Sequence, residues 1–236
     1  MRVTWLLLLV ALVNGIAFVL SGFGARLGWW DYVTGLEILR ASAYAALGLG
    51  ALVIVVLLVP RLRASGVTNA IATLVVCLGV LWIPVQWLQQ ARSLPAINDI
   101  STDTVNPPAF VAILPLRAGA PVSAVHPGVT VAQAQRAAYP DVVPLVLRVP
   151  PADAFAKAAF AAGAAGWEVV ATDPAAGRIE ATATSRWFGF KDDIVVRVTP
   201  VPGGSRIDVR SVSRVGKSDL GANARRIRAF LSRVAA

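Results

Sequence analysis

Three runs of this chain carry no charged residue at all: Val3 to Ala25, Ala41 to Val59 and Val67 to Ala91. At 1.5 Å of rise per helical residue, each is about long enough to cross the roughly 30 Å hydrocarbon core of a bilayer. A backbone in hydrocarbon has no water to bond, so segments of this kind fold as helices. The pattern therefore predicts three transmembrane helices, and it accounts for a hydrophobic content of 56% and a mean hydropathy of +0.66 over 236 residues. Arg2 before a leucine run resembles the start of a signal peptide. The apolar stretch is too long, however, and no clean small-x-small site ends it, so the first helix is expected to be retained.

The short connections suggest an orientation. Residues 60–66 carry Arg61 and Arg63 without an acid, whereas residues 26–40 balance two arginines with Asp31 and Glu37. By the excess of Lys and Arg in cytoplasmic loops, the N-terminus and the 60s loop face the cytoplasm. Three crossings then place everything after Arg92 in the periplasm of a bacterial inner membrane. Trp29, Trp30, Tyr32, Trp82 and Trp87 suit an aromatic belt at the interfaces. The spans hold few polar groups, among them Asn14, Ser21, Ser42, Thr68, Asn69 and Thr73, and no mid-membrane ionisable residue, which argues against independent transport.

The single cysteine, Cys77, lies within the third span, so neither a disulfide nor a thiol nucleophile is available to the exported part. The formal net charge of +9 is of the kind seen in nucleic-acid binders. A chain with three spans and an exported domain meets no nucleic acid, and its basic excess is better matched to anionic headgroups.

Beyond the anchor (residues 1–92), residues 93–144 are rich in Pro, Ala, Ser and Asn without helical or strand periodicity, and read as extended chain wrapping the domain. Residues 145–236 read as a periplasmic α+β domain. A short strand, "LVLRV", precedes a helix over 152–165, with Phe155, Ala159 and Ala162 on one face. "WEVVATD" is a further strand. Three alternating segments follow, in which Ile179, Ala181 and Ala183, then Ile194, Val196 and Val198, then Ile207 and Val209 share one side. The opposite side collects Arg178, Glu180, Arg186, Asp193, Arg197, Arg206, Asp208, Arg210 and Arg214. A final helix starting near Asp219 carries Leu220, Ala224, Ile227, Leu231 and Val234 as its apolar stripe. The expected architecture is an antiparallel sheet with two helices packed on its apolar face and a charged face left open to solvent.

Gly216-Lys217-Ser218 resembles the end of a Walker A loop, but Ser211 stands where its first glycine should be and the preceding strand is antiparallel, so nucleotide chemistry is not expected. Asp219 as helix cap would occupy the donors of an anion site there. Asp192 and Asp193, adjacent in a strand, should point to opposite faces. His126, the only histidine, has no serine-base constellation around it.

Three segments, "INDISTDTVNPPAF", "WFGFKDDIVVRV" and "DVRSVSRVGKSDLGANARRIRAF", resemble hallmark stretches of a bacterial family, also represented in photosynthetic organelles, known as domain of unknown function 1499. The resemblance covers Leu94 to Val234. It marks Asn98, Asp99, Ser101, Asp103, Phe190, Asp192, Asp193, Arg210, Ser213, Arg214, Gly216, Asp219, Gly221, Asn223 and Arg226, and it names no reaction. Many members read Asn-Cys-Val-Ser-Ser where this chain has Asn98-Asp99-Ile100-Ser101-Thr102, so chemistry requiring that cysteine does not carry over.

Together these readings lead to the expectation of a non-catalytic inner-membrane protein whose periplasmic domain binds an anionic lipid or an envelope protein through Arg210, Arg214, Lys217, Asn223 and Arg226, with no metal, cofactor, nucleotide or nucleic acid. The alternative is a periplasmic hydrolase using Asp99 or Asp103, with Arg214, Lys217 and Asn223 clamping an anion. It requires the loop after Leu94 to bring Asp99 and Asn223 to one ligand.

Overall fold

The computed structural model describes residues 3–60 and 66–236, so Arg2, Arg61 and Arg63, on which the orientation rests, lie outside the described residues. The chain divides into two compact units: residues 1–89 with Arg186–Gly189, and residues 90–185 with 190–236.

In the first unit, α1 (Val3–Arg26), α2 (Tyr32–Leu58) and α3 (Val67–Ser93) are each long and apolar enough to cross a membrane. Their buried residues fall in narrow stripes where small side chains, Thr4 and Ala11 on α1, Gly35, Ser42 and Ala46 on α2, and Ala70, Thr73 and Cys77 on α3, are interspersed with larger ones such as Leu7, Phe18, Leu39, Val53 and Val56. In lipid, helices gain nothing by hiding apolar surface from each other, and close backbone approach over small residues supplies the packing instead. Asn14 adds an interhelical hydrogen bond, its amide donating to the Ser42 carbonyl at 3.0 Å. Asp31 caps α2 by accepting from the Thr34 N–H. The Arg186–Gly189 turn belongs to this unit. Trp187 packs on Phe18 and Trp87 at centroid separations of 5.1 and 6.0 Å, and its indole N–H donates to the Val19 carbonyl at 2.9 Å. Trp87 thus takes part in an internal aromatic cluster, while Trp82 remains exposed.

The second unit is an antiparallel α+β fold. Strands β1 (Asp99–Ser101), β3 (Glu168–Asp173), β4 (Arg178–Thr184), β5 (Lys191–Val201) and β6 (Gly204–Ser213) run in the order β1-β6-β5-β4-β3, and β2 (Leu145–Leu147) also pairs with β6. The short strands share one flank of β6: β1 pairs with Arg210 to Val212 and β2 with Ser205 to Ile207. Helices α5 (Pro151–Ala164) and α6 (Ala222–Ala235) pack on the face formed by Ile179, Ile194, Val196, Val198, Ile207 and Val209. That is the face assigned by the alternation.

Three features depart from the expectations. Residues 129–138 form a helix, α4, in a stretch that shows no periodicity; small residues leave its apolar stripe weak, and it buries only Ala132 and Gln135. Gln135 closes the outer edge of β1, accepting from the Ser101 N–H at 2.9 Å and donating to the Ser101 carbonyl at 2.6 Å, as a neighbouring strand would. Helix α5 turns Ala154, Ala158, Ala161 and Ala162 inward, with Phe155 and Ala159 at the margin, because an alanine helix offers little size contrast to fix its rotation.

The largest departure concerns the charged face of the sheet, which is covered rather than open. Residues 102–124, including a 3-10 turn at Leu114–Arg117, lie across it, and Phe110 and Ile113 pack against Val195 and Val212 in a second, smaller core. Alternation shows which side chains share a face but not which aperiodic segment settles on it. Two apolar residues among the charges, Val195 and Val212, are the anchor for this cover.

Candidate functional site

On the covered face the arginines and acids neutralise one another inside the domain. Arg210 forms a bidentate pair with Asp99, Nε to Oδ1 at 2.9 Å and Nη2 to Oδ2 at 2.7 Å, with side-chain exposures of 3% and 2%. Its remaining donors reach the carbonyls of Pro108 and Ala124, and its guanidinium sits 5.2 Å from the Phe110 ring centre. Asp193 accepts from Arg117 at 2.6 Å, from Arg214 at 2.8 and 2.9 Å and from the Thr182 hydroxyl at 2.7 Å. Burial pushes the Asp193 carboxyl up, but the hydrogen bonds from Arg214, Thr182 and Arg117 outweigh it and hold it below the usual range.

Glu180, fully buried, accepts the N–H groups of Val111, Ala112 and Ile113, and pairs with Arg178 at 3.1 Å. A strand carboxylate here holds the cover directly by its backbone. Arg197 and Arg206 bridge Asp208 to Asp103. Asp103 also accepts from the N–H groups of Val105 and Asn106, closing a turn. Partial burial raises its pKa, and these two N–H groups with Arg206 and Arg197 bring it below the usual value.

The helix-side face has its own network. The Asn223 amide donates to the Asn98 carbonyl at 3.0 Å and to Ser213 Oγ at 3.2 Å, and its oxygen accepts from Ser211 and from Arg226. Arg226 in turn reaches Asp192 at 2.5 Å. Asp192 and Asp193 therefore do serve opposite faces of β5. Asp219 accepts from the N–H groups of Gly221 and Asn223, each at 2.8 Å, and so occupies the donors at the start of α6. The formal cap position is Gly221, in a left-handed conformation at φ 76°, two residues later than Asp219. Burial raises the Asp219 pKa against those two N–H groups, and nearby Asp192 adds to the rise.

The sequence-selected residues thus fall into separate groups. The segment after Leu94 does meet the strand-to-helix junction: Asn98 donates to the Gly216 carbonyl, and the Ser213 and Asp219 N–H groups donate to the Asn98 and Ile97 carbonyls. Asp99, however, is in register with Val212 on the covered face, and Asn223 lies on the helix face with Ser211 and Ser213. Asp99 and Asn223 thus stand on opposite faces of the sheet, Asp99 paired with Arg210 and Asn223 bonded to Asn98, Ser211 and Ser213. Arg214 faces Asp193, and Lys217 is exposed and forms no ion pair with the described residues. His126 accepts the Gly128 N–H at Nδ1. Burial and Arg210 push its pKa down against the pull of Asp99.

Among the described residues, no group of three or more His, Cys, Asp or Glu side chains is arranged to hold a metal ion. Arg117 and Gln135 are the structural keys that pattern reading missed. Arg117 had one available signal, a lone charge within the otherwise apolar "AILPLR".

No curated protein matches the chain. A family model described as Protein of unknown function (DUF1499) matches residues 99–234, from the first strand of the sheet to the last turn of α6, and the chain belongs to that family.

Proposed function

We propose that this is a non-catalytic protein of the bacterial inner membrane whose α+β domain lies in the periplasm and binds an anionic lipid or an acidic envelope partner. One observation carries the reading: the domain's acids are largely consumed internally, by Arg117, Arg197, Arg206, Arg210, Arg214 and Arg226, while Lys157, Lys217 and Arg233 are exposed and make no ion pair among the described residues. Cations without internal partners on a basic chain are the groups available to an external anion. Arg210 and Asn223, buried and hydrogen bonded within the domain, support the scaffold, so recognition falls to the exposed Lys217 and Arg225.

The test is mass spectrometry of the full-length protein released gently from its native membrane, compared with a Lys217→Glu/Arg225→Glu variant of equal thermal stability. An anionic lipid or a protein retained by the parent and depleted in the variant is the expected result. Equal recovery from both, or nothing bound to either, overturns the proposal.

A further inference from the structure

Helix α5 carries mostly alanine on both sides, with Asp153 and Lys157 as its charged residues. Its inner face buries Ala154, Ala158, Ala161 and Ala162 against the sheet and α6. Its outer face, where a helix on a soluble domain normally carries charge, presents Ala152, Ala156, Phe160, Gly163 and Ala164, all exposed. These residues recur at helical spacing, so they form one stripe. Phe160 stands within it, 79% exposed, with alanine and glycine at the positions four before and three and four after it, and Lys157 three and Asp153 seven positions before it on the same side. Exposed cations stand on both helices, Lys157 on α5 and Arg225 and Arg233 on the neighbouring α6, with Asp153, four residues before Lys157, the one acid on the exposed side of α5. Among the described residues Lys157 and Arg233 form no salt bridge, and Arg225 donates to the Leu220 carbonyl and acts on the Asp219 carboxylate only through its charge, in contrast to the paired arginines of the covered face.

We infer that the outer face of α5 and α6 is a docking surface for an anionic bilayer. Phe160 enters the headgroup boundary, and Lys157, Arg225 and Arg233 pair with phosphates. The inference rests on the reading under Proposed function and specifies where, and to what, the domain binds. Two arguments select lipid over an acidic protein. Residues 94–98 join α3 to β1, and the β4-β5 turn Arg186–Gly189 belongs to the helical unit, so a bilayer crossed by the three helices is the surface at highest effective concentration. The chemistry is also that of interfacial helices: an aromatic among small residues and long basic side chains that keep their heads at the polar level.

The experiment places the photoreactive residue p-benzoylphenylalanine at position 160 of the full-length protein, in nanodiscs containing or lacking phosphatidylglycerol. A second protein carries it at Val146, which is exposed on β2 in register with Arg206 on the other face of the sheet. Lipid adducts at position 160 in the anionic discs are expected. They should fall at least about fivefold for each basic residue reversed in Lys157→Glu and Arg233→Glu variants, with few adducts at 146. Both positions are exposed, and an unchanged thermal transition verifies the fold of each variant. Adducts independent of lipid charge, equal adducts at 146, no adducts, or capture of a second protein at 160 would each overturn the inference. Lipid retention lost with Lys217 and Arg225 but without crosslinking at 160 would leave the broader function standing and remove only this surface.

Discussion

Asp193 shows how one residue's surroundings decide whether a charge is a site or a strut. It is fully buried and held by two arginines and a threonine hydroxyl, so removing one partner leaves a charge with incomplete compensation. Arg117→Ala is expected to destabilise the α+β unit by about 3–5 kcal/mol, as measured by denaturant unfolding. Lys217→Ala, at an exposed and unpaired position, should stay within about 0.5 kcal/mol. The acid response follows from the same contacts. Asp193 and Asp103 titrate below their ordinary value of 3.8 in the folded state, so each contributes stability that is complete above that value and lost as pH falls through the lower folded value. Asp219, shifted upward, acts with the opposite sign just above 3.8, where rising pH removes a proton the folded state prefers to keep. Asp193→Asn should flatten the loss of stability below pH 3.8 in a pH series of thermal melts, at the cost of lower stability at neutral pH.

At the scale of elements, β1 is only three residues long, and its free edge is satisfied by a side chain. Gln135→Ala leaves the buried Ser101 N–H and carbonyl without partners, and should cost about 1–3 kcal/mol, with the earliest hydrogen exchange in β1. Conversion to Glu would restore only the acceptor half of the pair. The start of α6 depends on a different constraint. Leu220 and Gly221 are consecutive left-handed residues, at φ 51° and 76°, and a Cβ on Gly221 would meet Leu94 at 3.0 Å. Gly221→Ala should therefore destabilise by about 1–3 kcal/mol, against a gain for alanine at most exposed helical positions, read as a shift in the unfolding midpoint.

On the scale of the whole molecule, charge has two separate uses that salt distinguishes. Pairs such as Arg210–Asp99 are shielded from solvent and respond weakly to ionic strength, whereas Lys157 and Arg233 face it directly. Raising NaCl toward 1 M should weaken phosphatidylglycerol-dependent crosslinking at position 160 severalfold while leaving the thermal transition of the α+β unit nearly unchanged. Parallel loss of both would mean that the exposed cations also hold the fold.

Long-period patterns were legible in the primary structure by itself: three charge-free runs, the β4-β5-β6 alternation and the apolar stripe of α6. Each reflects a repeating geometric demand, of hydrocarbon thickness, of a pleat or of a helical turn, and every residue in the run reports on it. The split of Asp192 from Asp193 and the capture of α6's first donors by Asp219 were readable for the same local reason. Only the tertiary structure decided that residues 102–124 cover the charged face, that Arg117 arrives from that cover to complete Asp193, and that Asp99 and Asn223 occupy opposite sides of β6. These outcomes depend on where an aperiodic segment finds a few apolar anchors, Val195 and Val212, and unclaimed carboxylates such as Glu180. Such contacts join residues far apart in the chain and repeat nowhere along it, so no local pattern encodes them.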